Sequence, residues 1–301
     1  MIEQPVGHTG TARPLVVVAV DGSAGAAHAA RWAAAALPGP ARVRLLHVSD
    51  APVPRWLTEL ATELGPDTGT SQVPFHDGRA GGGSPVPDSV DAGVRVAAAL
   101  TQAAAGADLV VVGSYGAGAG GGVQVGSTAL ALLDLAGCPV AVVRGARPGD
   151  PPPDRGPVVV GYDGSPSAAA ALDLGARLAE AAGAALIVAH TWSEIAADAR
   201  GGLYRQLGSW DELAEEAREM VDQAVGEVHG RHPGLGVRPH VVGDTPLRDL
   251  LDVAATARTV VVGRRGSGQV SALRLGSTSQ GLVEFAPCPV VVTSPSGRRQ
   301  P

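Results

Sequence analysis

Residues 110–128 read VVVGSYGAGAGGGVQVGST, and residues 260–278 read VVVGRRGSGQVSALRLGST. Each stretch places the spacing G-x2-G-x9-G-S directly after a run of valines, and each precedes a Cys-Pro-Val step. Glycine fills 42 of the 301 positions, so a single spacing of this kind can arise by chance. Two copies in the same context, with Gly113 and Gly263 lying 150 positions apart, indicate a duplicated domain.

The glycines in this spacing are typical of a site that holds phosphate groups. Gly113 and Gly263 end an apolar run, where the absence of a Cβ lets the backbone turn toward a ligand. Gly116 and Gly266 allow phosphate oxygens to approach the backbone closely. A Gly-Ser-Thr step closes each copy: Gly126, Ser127 and Thr128 in the first, and Gly276, Ser277 and Thr278 in the second.

These closing Gly-Ser-Thr steps can each open a helix, whose unpaired backbone N–H groups and dipole attract an anion. The alternative is a helix cap that binds no ligand. A P-loop is excluded as a match, because the sequence contains no Gly-Lys-Ser or Gly-Lys-Thr step.

The composition limits the class of protein. A chain of 301 residues has room for two domains of ordinary size. With 45% apolar but only 3% aromatic residues, its cores must consist mainly of valine, leucine and alanine. The net charge of −6 argues against nucleic acid or an anionic membrane as a partner, because both need a basic protein face.

Targeting signals are not recognisable in the sequence. No segment has the length of a transmembrane helix, and residues 1–14 lack the basic start and apolar centre of a signal peptide. We therefore expect a cytoplasmic protein. Cys138 and Cys288 occupy equivalent positions before a strand and are interpreted as small buried apolar residues rather than as a disulfide.

Apolar runs alternate with helical patterns in both halves. Residues 15–20 and 158–162 suit strands that are buried on both faces of a parallel sheet. An Asp-Gly-Ser turn follows each run, and Ser23 and Ser165 (or Ser167) are natural N-caps of the alanine-rich helices that come next. Further strands are predicted at 43–48, 109–112, 140–143, 185–190, 240–242, 260–262 and 290–293, and helices at 26–37, 55–64, 167–182, 211–228 and 245–257.

Each half thus contains about five strands that alternate with helices, which predicts an open, doubly wound α/β sheet. We expect two tandem Rossmann-like domains, each an open parallel five-stranded sheet flanked by helices. Ligands of such sheets bind beyond the carboxyl ends of the strands, where the Asp-Gly-Ser turns and the glycine motifs both lie. The expected divisions are a tail at 1–14, a domain at 15–146, a proline-rich linker at 147–157, a domain at 158–295 and a tail at 296–301.

The two halves differ around their third strand. Residues 65–90 are rich in glycine and proline and predict a loose loop beside a weak strand. The second half keeps a Gly-Asp-Thr-Pro step at 243–246, and its glycine loop carries Arg264, Arg265 and Arg274. The first glycine loop has no arginine, and ordering its many glycines costs more entropy. We therefore expect the second copy to bind its ligand more tightly.

Both halves resemble universal stress proteins of the ATP-binding kind, joined in tandem, and the resemblance covers nearly the whole chain. It rests on the Asp-Gly-Ser turns within 18–23 and 160–165, on the strands that contain His47 and His190, and on the repeated glycine spacing with its Cys-Pro-Val strands. The resemblance implies domains of the adenine nucleotide alpha hydrolase-like fold.

The resemblance also implies roles for individual residues. In that family the glycine motif wraps the triphosphate and ribose, an Asp after the first strand lies at the nucleotide, and backbone atoms of the second strand contact adenine. Those roles fall here on Asp21 and Asp163, and on Val48 and Thr191. Taken alone, an Asp-Gly step is also ordinary turn chemistry. The other residues assigned to the same site, besides the glycine motifs, are Val112, Val262 and Arg264.

The sequence favours holding a nucleotide over consuming one. No catalytic base and no acidic pair for Mg²⁺ are recognisable, and His47 and His190 are interpreted as packed residues at strand ends, so no residue is assigned to catalysis or to a metal. We expect an ATP-binding stress-response or regulatory protein, with ATP alone or with Mg²⁺ as cofactor and without efficient catalysis. The alternatives are an ATPase or nucleotidyl transferase, and a nucleotide-free interaction module. Through the last strands we expect either a homodimer or an internal pseudo-dimer.

Overall fold

The computed structural model describes residues 13–37, 41–75, 91–116, 125–147, 149–192, 210–266 and 275–293. The strands in these ranges are β1 (Leu15–Ala19), β2 (Arg42–Val48), β3 (Thr68–Val73), β4 (Leu109–Gly113), β5 (Val140–Val143), β6 (Val158–Gly161), β7 (Leu186–Trp192), β8 (Val237–Gly243), β9 (Thr259–Gly263) and β10 (Val290–Thr293). The helices in the same ranges are α1 (Ala24–Ala36), α2 (Arg55–Leu64), α3 (Ala92–Ala103), α4 (Ser127–Leu135), α5 (Pro166–Ala181), α6 (Trp210–Arg231), α7 (Pro246–Ala254) and α8 (Ser277–Phe285).

All ten of these strands lie in one sheet, in the order β3-β2-β1-β4-β5-β10-β9-β6-β7-β8. Within each half the neighbouring strands are parallel. The predicted pair of tandem, parallel five-stranded α/β domains is therefore confirmed. The last strands β5 and β10 pair in antiparallel register, with Ala141 opposite Val291. The two halves thus form the internal pseudo-dimer that the sequence offered as one possibility.

The valine runs become central strands because both of their faces are covered by helices. Val16 and Val18 of β1 pack in one core with α1, α2, α5 and α6. Val17, which points the other way, packs in a second core with α3, α4, α7 and α8. Alternate side chains of a strand point to opposite faces, so a continuous apolar run is needed to fill both cores.

The helix starts follow the expected capping chemistry. Ser23 begins α1 by accepting a hydrogen bond from Ala26 N (3.1 Å), and Ser165 begins α5 by accepting one from Ala168 N (3.2 Å). Pro166 occupies the first turn of α5, where its missing N–H costs no helical bond. The same turns that precede these caps carry Asp21 and Asp163 to the carboxyl ends of β1 and β6.

The third strand of the first half differs from the prediction. The expected loop over 65–90 does not include residues 68–73, which form β3 and pair in parallel with β2 from Val43 to Val48. The sequence Thr-Gly-Thr-Ser-Gln-Val has little apolar periodicity because β3 is a partly exposed edge strand, held by backbone pairing. Residues 76–90 of the expected loop lie outside the described residues. Helix α3, which follows them, was not predicted.

Gly175 allows α5 to lie unusually close to the sheet. A Cβ built on Gly175 would fall well inside van der Waals contact of Val160 Cγ2 on β6. We expect Gly175→Ala to lower the free energy of unfolding by about 1–2 kcal/mol, because overpacking outweighs the gain in helix propensity. Gly226→Ala, at an exposed position of α6 where a Cβ meets nothing within 4 Å, should instead raise the free energy of unfolding by about 0.5–1 kcal/mol. Urea unfolding of both variants measures these changes. If the two substitutions changed the free energy of unfolding equally and in the same direction, the packing argument would be contradicted.

Candidate functional site

Each half brings a carboxylate against the second glycine of its motif. Asp21 Oδ1 accepts a hydrogen bond from Ser23 N (3.0 Å), and a Cβ on Gly116 would lie 2.7 Å from Asp21 Oδ2. In the second half, Asp163 Oδ1 accepts one from Ser165 N (3.1 Å). There a Cβ on Gly266 would lie 2.5 Å from Asp163 Oδ2. The same juxtaposition at the carboxyl ends of the first and fourth strands thus occurs twice.

The first glycine of each motif makes room for a helix. A Cβ on Gly113 would lie 2.9 Å from the carbonyl carbon of Gly25, in the first turn of α1. A Cβ on Gly263 would lie 2.6 Å from Ser167 Oγ, in the first turn of α5. Close packing of strand and helix therefore requires a glycine at both positions, a reason that the sequence-based assignment of a turn toward the ligand did not include.

The third glycine of each motif is the residue that precedes a helix. Gly126 N donates to Ser114 O (2.8 Å) and Gly276 N donates to Arg264 O (2.8 Å), so each folds back onto the start of its own motif. Neither glycine has a side chain that can cap the helix that follows. The first-turn N–H groups of α4 and α8 point out of the helix without an intrahelical acceptor, and an anion is favoured there.

Four of the assigned residues occupy these first helical turns. Ser127 and Thr128 are the first two residues of α4, and Ser277 and Thr278 are the first two of α8. Both serines are exposed. The residues between the second and third glycines, 117–124 and 267–274, lie outside the described residues, and so does Arg274.

We call these two groups the first and second cradles. The first cradle consists of Asp21, Gly113–Gly116 and Gly126 with the first turn of α4. The second consists of Asp163, Gly263–Gly266 and Gly276 with the first turn of α8.

The second strands present peptide groups to the same edges. Val20 N donates to Leu46 O (3.0 Å), whereas Ser49 N donates to Val73 O (3.0 Å), so even-numbered residues of β2 face β1 and odd-numbered ones face β3. The peptide groups of Val48 therefore face the β1 side, beyond the last residue of β1.

The second half repeats this arrangement. Tyr162 N donates to Ala189 O (2.8 Å), whereas Leu186 N donates to Gly236 O (2.8 Å). By the same alternation, the peptide groups of Thr191 face the β6 side, beyond the last residue of β6. Continuing the register of the printed pairs by two residues places Thr191 opposite Asp163, as it places Val48 opposite Asp21.

The two histidines join the ends of neighbouring strands. His47 Nδ1 lies 2.8 Å from Val20 O, and His190 Nδ1 lies 2.7 Å from Tyr162 O. The ring of His47 also meets the edge of Trp56, with ring centroids 5.2 Å apart. These contacts fix the turns that carry Asp21 and Asp163, in agreement with the interpretation of both histidines as packed residues.

Arg264 corrects the sequence-based assignment. Its guanidinium donates to Ala136 O (Nη2, 2.8 Å) and lies 3.5 Å from Asp134 O (Nη1), at the carboxyl end of α4 in the other half. The side chain therefore contacts a helix end across the junction between the halves. Its backbone belongs to the second cradle, through the Gly276 N–Arg264 O bond. Sequence could not show this, because the acceptors lie 128 and 130 positions away.

Val112 and Val262 belong to the core. Their exposures are 8% and 4%, and both pack in the core with α3, α4, α7 and α8. Any contact they make to a ligand therefore uses backbone atoms.

A serine that the sequence treated only as a possible cap strengthens the second cradle. Ser167 Oγ hydrogen-bonds Arg265 O and lies 3.2 Å from Ser165 Oγ, and Thr293 Oγ1 donates to Ser167 O (2.9 Å). In the first cradle the corresponding position is Gly25, and the equivalent carbonyl, Tyr115 O, accepts a longer bond of 3.5 Å from Ser23 Oγ. The Ser-Pro-Ser step at 165–167 was the signal for this difference.

Of the two cysteines, Cys288 is buried and Cys138 is partly buried. Cys288 is 1% exposed, and burial raises its pKa to about 12; burial also raises the pKa of the partly buried Cys138. Both therefore stay protonated at neutral pH, in agreement with their interpretation as small core residues.

Over the described ranges, no group of three or more His, Cys, Asp or Glu side chains could hold a metal ion. None of the helices that the structure describes is both long and apolar enough to cross a bilayer.

Both halves match a single protein family. The family model described as the Universal stress protein family matches residues 14–144 and 155–294. The chain belongs to the universal stress protein family. A universal stress protein of Mycobacterium tuberculosis (strain CDC 1551 / Oshkosh) is 29% identical over 301 residues, covering 93% of this chain and 96% of that protein.

Other relatives align over less of their length. A universal stress protein of Mycobacterium tuberculosis (strain ATCC 25618 / H37Rv) is 35% identical over 190 residues, which is 63% of this chain and 63% of that protein. The crystal structure of a universal stress protein from Archaeoglobus fulgidus DSM 4304 superposes with a TM-score of 0.60 at 18% identity, over 94% of this chain and 98% of that one. It supports the fold of this universal stress protein.

Some solved universal stress proteins are complexes with adenine nucleotides. Two that match 47% of this chain are described as bound to cAMP and to dAMP, with TM-scores of 0.33 and 0.34.

Proposed function

We propose that this universal stress protein binds ATP in its cradles and responds to nucleotide occupancy without efficient turnover. The observation that carries the proposal is the repeated convergence of a carboxylate, a close-approach glycine and an uncapped helix start at one edge of each half. A glycine without a Cβ beside the carboxylate leaves space that any side chain would fill. Such a space, beside a helix N-terminus, suits a ligand with a negatively charged end.

The order of groups along each edge fits the parts of an adenine nucleotide. The peptide groups of Val48 or Thr191 can bond the edge of a planar base through one N–H and one C=O. A carboxylate accepts hydrogen bonds only, so Asp21 or Asp163 suits ribose hydroxyls and not phosphate oxygens. The first turns of α4 and α8 then suit the phosphates. Where Mg²⁺ accompanies ATP, the phosphates are its natural ligands.

The proposal of slow turnover rests on the surroundings of the polar groups. Hydrolysis needs a positioned water and a stabilised leaving group. His47 and His190 are held through Nδ1 by the carbonyls of Val20 and Tyr162. The guanidinium of Arg264, the cation closest in sequence to Gly263, bonds the end of α4. The regulatory readout is then a change of conformation or assembly.

Mass spectrometry of nucleotide released from the denatured, purified protein tests the proposal. We expect ATP, or ATP with its hydrolysis products, at up to two molecules per chain. Isothermal titration with ATP, AMP and cAMP then ranks their affinities. Absence of both released nucleotide and binding heat would instead support a nucleotide-free interaction module.

Asp163→Asn tests the role of the carboxylate. We expect it to weaken ATP binding at the second cradle by about tenfold, because it removes charge-assisted hydrogen bonds worth about 1.5 kcal/mol while keeping the size of the side chain. Asp222→Asn, at an exposed residue of α6, is the control and should leave the affinity unchanged. Steady ATP hydrolysis that Asp163→Ala abolishes would contradict the proposed lack of turnover and support an ATPase.

A homodimer is also part of this proposal, and it must use other surfaces than β5 and β10. Those strands already pair with each other, so their edges are closed. Light scattering on the purified protein, with and without ATP, measures the state of assembly directly.

A further inference from the structure

Two arginines cross the junction between the halves and bond the far ends of helices. Arg144 Nη1 donates to Glu284 O (2.7 Å) and Val283 O (3.1 Å), at the carboxyl end of α8. Arg264 Nη2 donates to Ala136 O (2.8 Å), at the carboxyl end of α4. Each arginine therefore belongs to one half and holds a helix of the other. Both side chains are partly buried, so water competes only weakly for these charge-assisted bonds.

The helices held in this way are those that form the cradles. Helix α4 begins at the first cradle and ends at the contact with Arg264. Helix α8 begins at the second cradle and ends at the contact with Arg144. The antiparallel pairing of β5 and β10 explains the geometry, because it places the carboxyl edge of one half beside the amino edge of the other.

The arginines themselves are attached to the opposite cradles. Arg264 is part of the second cradle, where its carbonyl accepts from Gly276 N. Arg144 lies over the ring of Tyr115 in the first cradle, with Cζ 5.9 Å from the ring centroid. The residue before it, Val143, accepts a hydrogen bond from Ser114 N (3.0 Å). The contacts thus connect the cradles in both directions. The first cradle begins α4, whose end contacts Arg264 of the second cradle, and the second cradle begins α8, whose end contacts Arg144 beside the first cradle.

We propose that Arg144 and Arg264 are positioning residues that couple the two cradles, so that ATP bound in one raises the affinity of the other. This inference rests on the proposed nucleotide binding. A nucleotide that orders the start of α4 also orders its other end, and with it Arg264 and the second cradle. The second nucleotide then has less ordering to complete, which gives positive cooperativity. A guanidinium at a helix carboxyl end also favours an anion at the amino end through the helix dipole.

The test measures the ATP affinity of the second cradle twice, once with the first cradle able to bind and once with it blocked. Gly116→Val blocks the first cradle, since even a Cβ there meets Asp21. Titration with ATP and Mg²⁺ should show a second-cradle affinity at least about fivefold lower in Gly116→Val than in the intact protein filled at both sites. Arg264→Met keeps the length of the side chain but removes its hydrogen-bond donors. When Gly116→Val is added to this variant, the ATP affinity of the second cradle should change by less than about twofold. Arg144→Met should have the same effect.

Arg258→Met is the matched control. Arg258 Nη1 also donates to a carbonyl just beyond a helix end, Ala182 O (3.2 Å), but both residues lie in the second half and neither belongs to a cradle. It should leave the coupling intact. If Arg264→Met does not fold, Arg264→Lys, which retains the charge, should show a reduced but measurable coupling.

The outcomes separate this inference from the proposed function. If the two arginines are purely structural, their methionine variants should unfold at a lower temperature, while Gly116→Val should still change the ATP affinity of the second cradle as it does in the intact protein. That result would overturn the coupling alone. Binding at two independent sites in the intact protein also overturns the coupling alone. Absence of any ATP binding overturns the proposed function and the coupling together.

Discussion

We expect Val291→Asp to destabilise both halves of the protein, lowering the free energy of unfolding by about 4 kcal/mol or more. Val291 is 0% exposed and pairs with Ala141 across the junction of β5 and β10. A carboxylate there would be buried without a partner, which costs several kcal/mol. Because a domain is stable by about 5–15 kcal/mol, much of the protein should be unfolded or aggregated.

Hydrogen exchange distinguishes damage to one half from damage to both. The sheet is continuous through β5 and β10, so amides of β1 and β6 should lose protection together. Val53→Asp, at a side chain that is 55% exposed, should change stability by no more than about 0.5 kcal/mol. Loss of protection in β6 with full protection in β1 would show that the halves are energetically independent.

The second large effect is expected from Gly266→Val, which should weaken ATP binding at the second cradle by about 100-fold. A Cβ at Gly266 would lie 2.5 Å from Asp163 Oδ2, and the two methyl groups of valine would occupy the space proposed for the ligand. A loss of about 2.8 kcal/mol corresponds to that factor. Titration with ATP measures it directly.

Two comparisons sharpen this test. Gly234→Val, at an exposed glycine where a Cβ meets nothing within 4 Å, should leave binding unchanged. Gly116→Val should cause a smaller loss than Gly266→Val, because the hydroxyl of Ser167 ties Arg265 into the second cradle, whereas Gly25 stands at that position in the first. A larger loss from Gly116→Val would contradict the expectation that the second cradle binds more tightly.

The periodic and local signals in the sequence were reliable. Valine runs predicted the buried strands because a strand with helices on both faces must be apolar throughout. Ser23 and Ser165 predicted helix starts, since a cap involves only neighbours within three residues. Strand β3 was predicted only as a weak strand without bounds, because an edge strand takes its order from the backbone of β2 and needs few apolar side chains.

The site shows the same division between local and distant contacts. The repeated glycine spacing identified both cradles, and the Asp-Gly-Ser turns identified their carboxylates. The sequence did not reveal that Gly113 and Gly263 make room for helices, because those neighbours come from α1 and α5. Nor did it reveal the direction of the Arg264 side chain, whose acceptor is in the other half.

The sequence by itself determined the family, the duplication and the α/β class, because each depends on patterns repeated within a half. Tertiary structure alone decided that the two sheets merge through β5 and β10 and that Arg144 and Arg264 reach across the junction. Those contacts join residues more than 100 positions apart. Their partners are set by the antiparallel register of two strands, and no local spacing encodes that register.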